Sequence, residues 1–254
     1  AQRAGVRTLI QEQNSHAGAT NRMLARKADR ICVAYPAMER YFPKDKILMT
    51  GNPVREEVVR LEGKRPRGLE QFVLQEGRPI VFVTGGSLGA RGINQGIEAA
   101  LPKLKERGVQ LIWQTGTPFF TQATKTVEAI GYTDCKVMEF VTRMDLAYAV
   151  ADLVVARAGA MSVSELCLVR LPAILVPLPT AAEDHQTMNA RALTDRGAAV
   201  LVRDDRTMAE LGDVILDLLA DPNKLNALRS AIAGMAISNA AGAIAAEVIR
   251  LARQ

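Results

Sequence analysis

The stretch "VTGGSLGARGIN", residues 83–94, decides how this chain is read. It closes the apolar run "IVFVTG" and opens a segment of helical period, so it is a glycine-rich turn between a strand and a helix. Such a turn can cradle a phosphate on free backbone amides, expose a nucleophilic serine, or merely reverse the chain. Ser87 stands at its centre. A second turn of the same kind, "VVARAGAMSVSEL", lies at residues 154–166.

Around these two turns, short runs rich in Val, Ile and Leu alternate with longer helical patterns. The strands read as "RTLIQ", "RICVAY", "KILMTG", "IVFVTG", "QLIWQTG", "KVMEF", "DLVVAR", "AILVP" and "AAVLV". Strands alternating with helices predict an α/β fold with parallel sheets, which bind ligands where strand ends meet helix N-termini. Gly51 and Pro53 in "TGNPVREE" break the pattern ahead of a charged helix. Residues 1–53 are therefore expected to be the remainder of one Rossmann-like domain, 54–233 a complete nucleotide-sugar-binding one, and 234–254 a C-terminal helix packing back toward the first.

Composition limits the alternatives. The 254 residues are 48% hydrophobic and 23% charged, ordinary for a globular protein. The net charge of +5 suits an anionic partner. No basic cluster is interleaved with aromatics, so nucleic acid is not expected. Cys32, Cys135 and Cys167 are too far apart for a metal or disulfide framework and read as buried thiols in a reducing compartment. The segment "AIAGMAISNAAGAIAAEVI", residues 231–249, is interrupted by Ser238, Asn239 and Glu247 and does not read as a membrane span. No signal peptide opens the chain, which lacks an initiator Met and reads as starting mid-protein.

Gly85, Ser87 and Gly89 match the G-x-S-x-G elbow of serine hydrolases, with His185 as the sole downstream histidine and Asp152 as a possible acid. A hydrolase does not need the second turn. Two helix N-termini at one crevice instead favour a diphosphate. Neither turn has the G-x-G-x-x-G spacing of a dinucleotide site, and a G-x-x-x-x-G-K-[ST] loop is absent. No D-x-D pair is available for a divalent metal, so neither metal nor cofactor is expected, and leaving-group charge would rest on helix N-termini and hydrogen bonds.

In order and spacing, "EQNSHAGATNRMLARKADRI", "TGNPVREEV", "GGSLGARGIN", "WQTG", "EFVTRMDLAYAVADLVVARAGAMSVSEL", "LPAILVPLP" and "EDHQTMNARAL" resemble glycosyltransferase family 28 of peptidoglycan synthesis, whose members are two-domain GT-B enzymes. The resemblance covers essentially the whole chain. It implies transfer of N-acetylglucosamine from UDP-N-acetylglucosamine to lipid I, giving lipid II, at the cytoplasmic face of the bacterial plasma membrane. The family's N-terminal domain opens with a glycine-rich loop carrying a histidine thought to assist catalysis. The chain begins after that point and is expected to lack roughly a hundred residues, with the contact to an anionic membrane surface on the absent part. Such a chain is expected to bind donor and not to transfer sugar alone. Gln11 departs from the histidine that many members carry there.

Site roles follow from the resemblance. Arg55 would hold the donor near its diphosphate, where the alternative is an ion pair with Glu56 or Glu57. Ser87 would contact the donor by hydroxyl and backbone amide, and the Val141 backbone would pair with uracil. Ala160, Met161, Ser162, Val163 and Ser164 would offer helix N-terminal amides. Glu165 would accept from the ribose hydroxyls, although a carboxylate in a first helical turn is also favoured by the helix dipole. Gln186 would read sugar hydroxyls, and Asn14 would reach the N-acetylglucosamine from the other domain. No catalytic residue is assigned. His185 reads as a hydrogen-bonded loop residue, and Trp113 and the methionines as core. Two other readings share this donor chemistry: a UDP-sugar-binding module that needs a separate catalytic partner, and another GT-B enzyme such as a UDP-N-acetylglucosamine epimerase.

Overall fold

A computed structural model describes residues 1–253. All nine expected strands form: β1 (Leu9–Glu12), β2 (Arg30–Val33), β3 (Ile47–Met49), β4 (Ile80–Thr84), β5 (Gln110–Gln114), β6 (Cys135–Met138), β7 (Leu153–Ala156), β8 (Ala173–Leu175) and β9 (Val200–Leu201). They build two parallel sheets, β1-β2-β3 and β6-β5-β4-β7-β8-β9. Numbered within the larger sheet, its order is 3-2-1-4-5-6, the doubly wound Rossmann arrangement, with the topological switch between β4 and β7.

The helices are α1 (Ala19–Ala25), α2 (Glu56–Val59), α3 (Arg65–Phe72), α4 (Arg91–Glu106), α5 (Thr117–Ala129), α6 (Met144–Val150), α7 (Ala160–Val169), α8 (His185–Thr194), α9 (Thr207–Leu219), α10 (Pro222–Ala233) and α11 (Ala240–Ala252). Parallel strands joined by helices must bury both faces, so their sequences are continuously apolar. In β4, Ile80 and Phe82 enter one core with Leu146, Val150, Val163, Leu166 and Leu193 of α6, α7 and α8. Val81 and Val83 point the other way, into Ile93, Ile97, Leu101, Leu211 and Ile215 of α4 and α9. A period of two thus places each strand between two helical layers. The same two layers hold the switch loops after β4 and β7 side by side.

The first sheet has its own small core around Ile31, Val33, Met38 and Phe42. Chain passes between the sheets at residues 50–55 and again after α10. There, Ile237 packs so closely on Gly51 (φ 77) that a side chain at residue 51 would collide with it. Arg30 Nε donates to Glu247 Oε1 of α11 at 2.9 Å, bringing that helix onto β2. No helix among the described residues is long and apolar enough to cross a membrane. The three cysteines are free and buried, and Trp113 is fully buried. The methionines divide, contrary to expectation: Met38 is core, whereas Met23 and Met208 are exposed because they fall on outward faces of α1 and α9.

Candidate functional site

The turn after β4 is held from behind by one buried side chain. Gln114, at the end of β5, donates through Nε2 to Gly86 O at 2.8 Å and to Thr84 Oγ1 at 3.1 Å. Its Oε1 accepts from the Val141 amide at 2.8 Å. Gly89 sits at φ 75 against the neighbouring 115–116 loop, where any Cβ would strike the Thr115 carbonyl. The turn therefore cannot carry a side chain there. Ser87 lies exposed at its tip and makes no hydrogen bond among the described residues. No hydrogen bond among the described residues joins it to His185, which opens α8, so the Ser-His pair that a hydrolase requires is not formed there.

The turn after β7 converges on the first. Gly85, Gly86, Ala90, Arg91 and Gly92 from one side, and Gly159, Ser162 and Gln186 from the other, line a cleft of about 720 Å³. Its floor carries a cation that sequence reasoning missed. The Arg157 guanidinium donates to the carbonyls of Val176 and Pro177 at 3.1 Å and pairs with Asp204. Gly92 leaves room for that Asp204 carboxylate.

Helix α7 begins at Ala160, and its first internal bond runs from the Val163 amide to Gly159 O at 3.0 Å. The amides of Gly159, Ala160, Met161 and Ser162 carry no intrahelical bond and remain free to meet an anion. The wider expectation for Val163 and Ser164 is corrected: their amides lie inside the helix. The Ser164 hydroxyl is also taken, donating to Ala160 O and accepting from Asn52 Nδ2, both at 2.9 Å.

Glu165 is six residues into α7, in the second turn, which corrects its placement in the first and removes the dipole explanation for it. Three residues beyond Ser162, it shares that residue's face of the helix. Tyr148 Oη donates to Glu165 Oε2 at 2.9 Å. Burial raises the Glu165 carboxyl above the usual range, opposed by the Tyr148 bond and the positive charge of Arg55. Arg55 makes no ion pair with Glu56 or Glu57 among the described residues. Glu56 pairs with Arg60 instead, and the Arg55 guanidinium is left exposed beside Glu165. The Val141 side chain is core, and its amide donates to Gln114, which leaves its carbonyl as the backbone group open to a ligand.

Gln186 Oε1 accepts from the Leu178 amide at 3.0 Å, which fixes the side chain in the cleft wall and leaves its NH₂ to donate. Asn14 is reached across the two sheets. Asn189, fully buried on α8, donates to Asn14 Oδ1 at 3.1 Å and to Ala158 O at 3.2 Å, and accepts from the Ser15 amide at 2.9 Å. Asn52, also buried, links Gln13 O at 3.0 Å to Ser164. Beside Asn14, His16 accepts or donates at 2.8 Å with Tyr41 Oη, and its Nε2 and that of His185 both stand 3.8 Å from Glu183. The expectation of a hydrogen-bonded loop residue is corrected for His185: it is the first residue of α8, its Nδ1 has no hydrogen-bond partner among the described residues, and its nearest charge is Glu183.

Two parallel sheets with a glycine-walled cleft at the topological switch place the chain among α/β proteins of the GT-B architecture. Residues 80–244 match the family model described as the glycosyltransferase family 28 C-terminal domain. A Bacteroides thetaiotaomicron protein named UDP-N-acetylglucosamine--N-acetylmuramyl-(pentapeptide) pyrophosphoryl-undecaprenol N-acetylglucosamine transferase is 50% identical over 250 residues, 98% of this chain and 67% of that protein. A Porphyromonas gingivalis protein of the same name is 50% identical over 97% of this chain and 65% of its own length. The crystal structure of Acinetobacter baumannii MurG superposes with a TM-score of 0.78 at 28% identity, covering 98% of this chain and 68% of that one. The chain belongs to glycosyltransferase family 28. It spans about two thirds of the length of these relatives.

Proposed function

We propose that the chain binds UDP-N-acetylglucosamine in the cleft between β4 and β7 and serves the transfer of N-acetylglucosamine to lipid I, forming lipid II. The observation that carries this reading is the convergence of both glycine turns on one cleft, in a chain half identical to relatives named for that reaction. The diphosphate lies against the free amides of Ala160, Met161 and Ser162 and the turn at Ser87, with Arg55 as a guanidinium fork. Glu165, oriented by Tyr148, accepts from the ribose hydroxyls. The Val141 carbonyl accepts from the uracil N–H, the Gln186 amide donates to the sugar, and Asn14 approaches it from the first sheet. In the transfer, the acceptor hydroxyl gives up its proton to solvent as its oxygen bonds to the anomeric carbon, the bond from that carbon to the diphosphate oxygen breaks, and UDP leaves on amides already aimed at its developing charge.

Residues 1–53 are assigned to the acceptor- and membrane-side domain, 54–233 to the donor domain, and 234–254 to a helix that returns to the first. The reading includes work at the cytoplasmic membrane face, against an anionic surface. Calorimetric titration with UDP, UDP-N-acetylglucosamine and inorganic diphosphate tests donor binding. Equal affinity for UDP and diphosphate would leave only a generic phosphate site and refute the nucleotide assignment.

A further inference from the structure

Residues 13–15, in the loop that leaves β1, are held by side chains from outside the first sheet. Asn52, in the passage between the sheets, donates through Nδ2 to Gln13 O at 3.0 Å and to Ser164 Oγ of α7 at 2.9 Å. Asn189 of α8, fully buried, takes the next two residues. Its Oδ1 accepts from the Ser15 amide at 2.9 Å, and its Nδ2 donates to Asn14 Oδ1 at 3.1 Å and to Ala158 O at 3.2 Å. Ala158 directly precedes Gly159, the cap of α7. The loop is thereby fastened to the donor side of the cleft as well as to its own sheet.

These bonds also fix which way round the Asn14 amide lies. A primary amide has one acceptor oxygen and one nitrogen with two hydrogens, and its neighbours decide which end faces which. Asn189 cannot be turned over, because the Ser15 N–H needs an oxygen opposite it and the Ala158 carbonyl needs an N–H. The second Asn189 N–H then needs an oxygen from Asn14. On the other side the Glu12 carboxylate, 3.3 Å from Asn14 Nδ2, needs a nitrogen. Glu12 is itself buried and anchored by the amides of Asn14 and Gly18 and by Asn21 Nδ2. Asn14 is half-buried, so one N–H and one lone pair are left for a ligand. On the reading of Asn14 as a sugar contact, we infer that Asn189 is a positioning residue for sugar recognition: without touching the donor, it holds the Asn14 amide in the single orientation that offers both groups. The consequence is a split between the two parts of the donor. Asn189 governs the affinity that N-acetylglucosamine adds to UDP and not the affinity for UDP itself, since α7 keeps its own hydrogen bonds and Asn52 still ties Gln13 to that helix when Asn189 is changed.

Calorimetric titration of the chain with UDP and with UDP-N-acetylglucosamine tests this through the ratio of the two Kd values. Asn14→Ala is the reference and should weaken UDP-N-acetylglucosamine about fivefold, the worth of one hydrogen bond, with UDP within about twofold of wild type. Asn189→Asp, nearly the same size and still an acceptor for the Ser15 amide, and Asn189→Ala both remove the donors. Each should reproduce that loss and keep UDP within about twofold, which also establishes that the variant is folded. Adding Asn14→Ala to either should cost nothing more, because both changes remove one contact. An unchanged ratio in both Asn189 variants beside a loss in Asn14→Ala overturns the proposal and leaves Asn14 as a sugar contact. No loss in Asn14→Ala removes that contact and the proposal with it. Equal weakening of both ligands by the Asn189 variants, up to loss of binding, or losses that add in the double variants, reduce Asn189 to a structural residue and overturn the proposal as well.

Discussion

Gln114→Leu removes three hydrogen bonds from one side chain while nearly preserving its volume. The Val141 amide is buried and left without an acceptor, which costs about 1–3 kcal/mol, the lost bond to Gly86 O costs about 1 kcal/mol because that exposed residue can turn to water, and the lost bond to Thr84 Oγ1 adds little because that oxygen still accepts from the Gly86 amide. Apolar burial of the leucine returns on the order of 1 kcal/mol. The net loss of stability is therefore about 1–3 kcal/mol, read as a lower urea midpoint at unchanged slope. The same change releases the turn after β4, since Gln114 is what holds Gly86 and Thr84 from behind. Re-ordering one turn residue on binding costs about 1–2 kcal/mol, so the Kd for UDP rises roughly five- to thirtyfold. Urea unfolding and calorimetry on the same preparation measure both. A variant that loses stability yet keeps its UDP Kd within about twofold (some 0.4 kcal/mol) would refute the claim that Gln114 shapes the site.

Glu165→Gln is expected to weaken UDP by about 1.5–3 kcal/mol, the range for bonds to a charged acceptor, and to leave inorganic diphosphate unaffected or slightly improved; equal calorimetric losses would reduce Glu165 to a structural role. Because burial raises the Glu165 carboxyl, its ionised form is lost as pH falls through a value above the ordinary 4.5, so UDP affinity declines in mildly acidic buffer and the Gln variant shows no such decline. Asp145, held well below the usual carboxylate range first by Arg143 and also by Lys64, stabilises the fold above its ordinary value of 3.8 and loses that contribution as pH falls below it; Asp145→Asn should cost about 1–3 kcal/mol in urea at pH 7, and the gap to wild type should close in strong acid. Ser87→Ala should leave stability within about 0.5 kcal/mol, weaken UDP-N-acetylglucosamine by about 1 kcal/mol, and show no fluorophosphonate labelling before or after. Gly89→Ala should be the most damaging turn substitution, losing more than about 2 kcal/mol in thermal or urea unfolding, since it combines positive φ with a backbone collision.

The nine strands were legible because parallel strands buried on both faces must be unbroken apolar runs, and the glycine punctuation between them marks where each ends. The converging turns were legible for a related reason: glycine placed directly between a strand and a helix implies close backbone approach there. What escaped was every partner chosen across the fold. Gln114 is an ordinary polar residue in "WQTG" until β4 and the 139–141 segment flank it, and Asn189 is one more polar residue of a helix until Ser15 and Asn14 arrive from the first sheet, with a sequence separation of 174 or more. Arg157 is likewise explained only by Asp204. The start of α7 was misjudged locally: the motif "AMSVSE" suggests one first turn, but Gly159 sets the helix start, so Val163, Ser164 and the Glu165 carboxylate fall inside the helix. At Val141, where the sequence pointed to the backbone without choosing a group, the buried Gln114 side chain engages the amide and leaves the carbonyl.

The bond from Arg30 to Glu247 joins residues 217 positions apart. During synthesis at about 5–20 residues per second, that separation corresponds to roughly 10–40 s in which β2 has been made and its distant partner has not. Through this interval the nascent first sheet must wait with its flank unclosed, while the larger sheet, whose strands are all contributed by residues 80–201, can condense around its own core. Ribosome-bound chains halted before and after residue 247 would differ in protease sensitivity near residue 30, so the maturation of the two halves is asynchronous by construction of the topology.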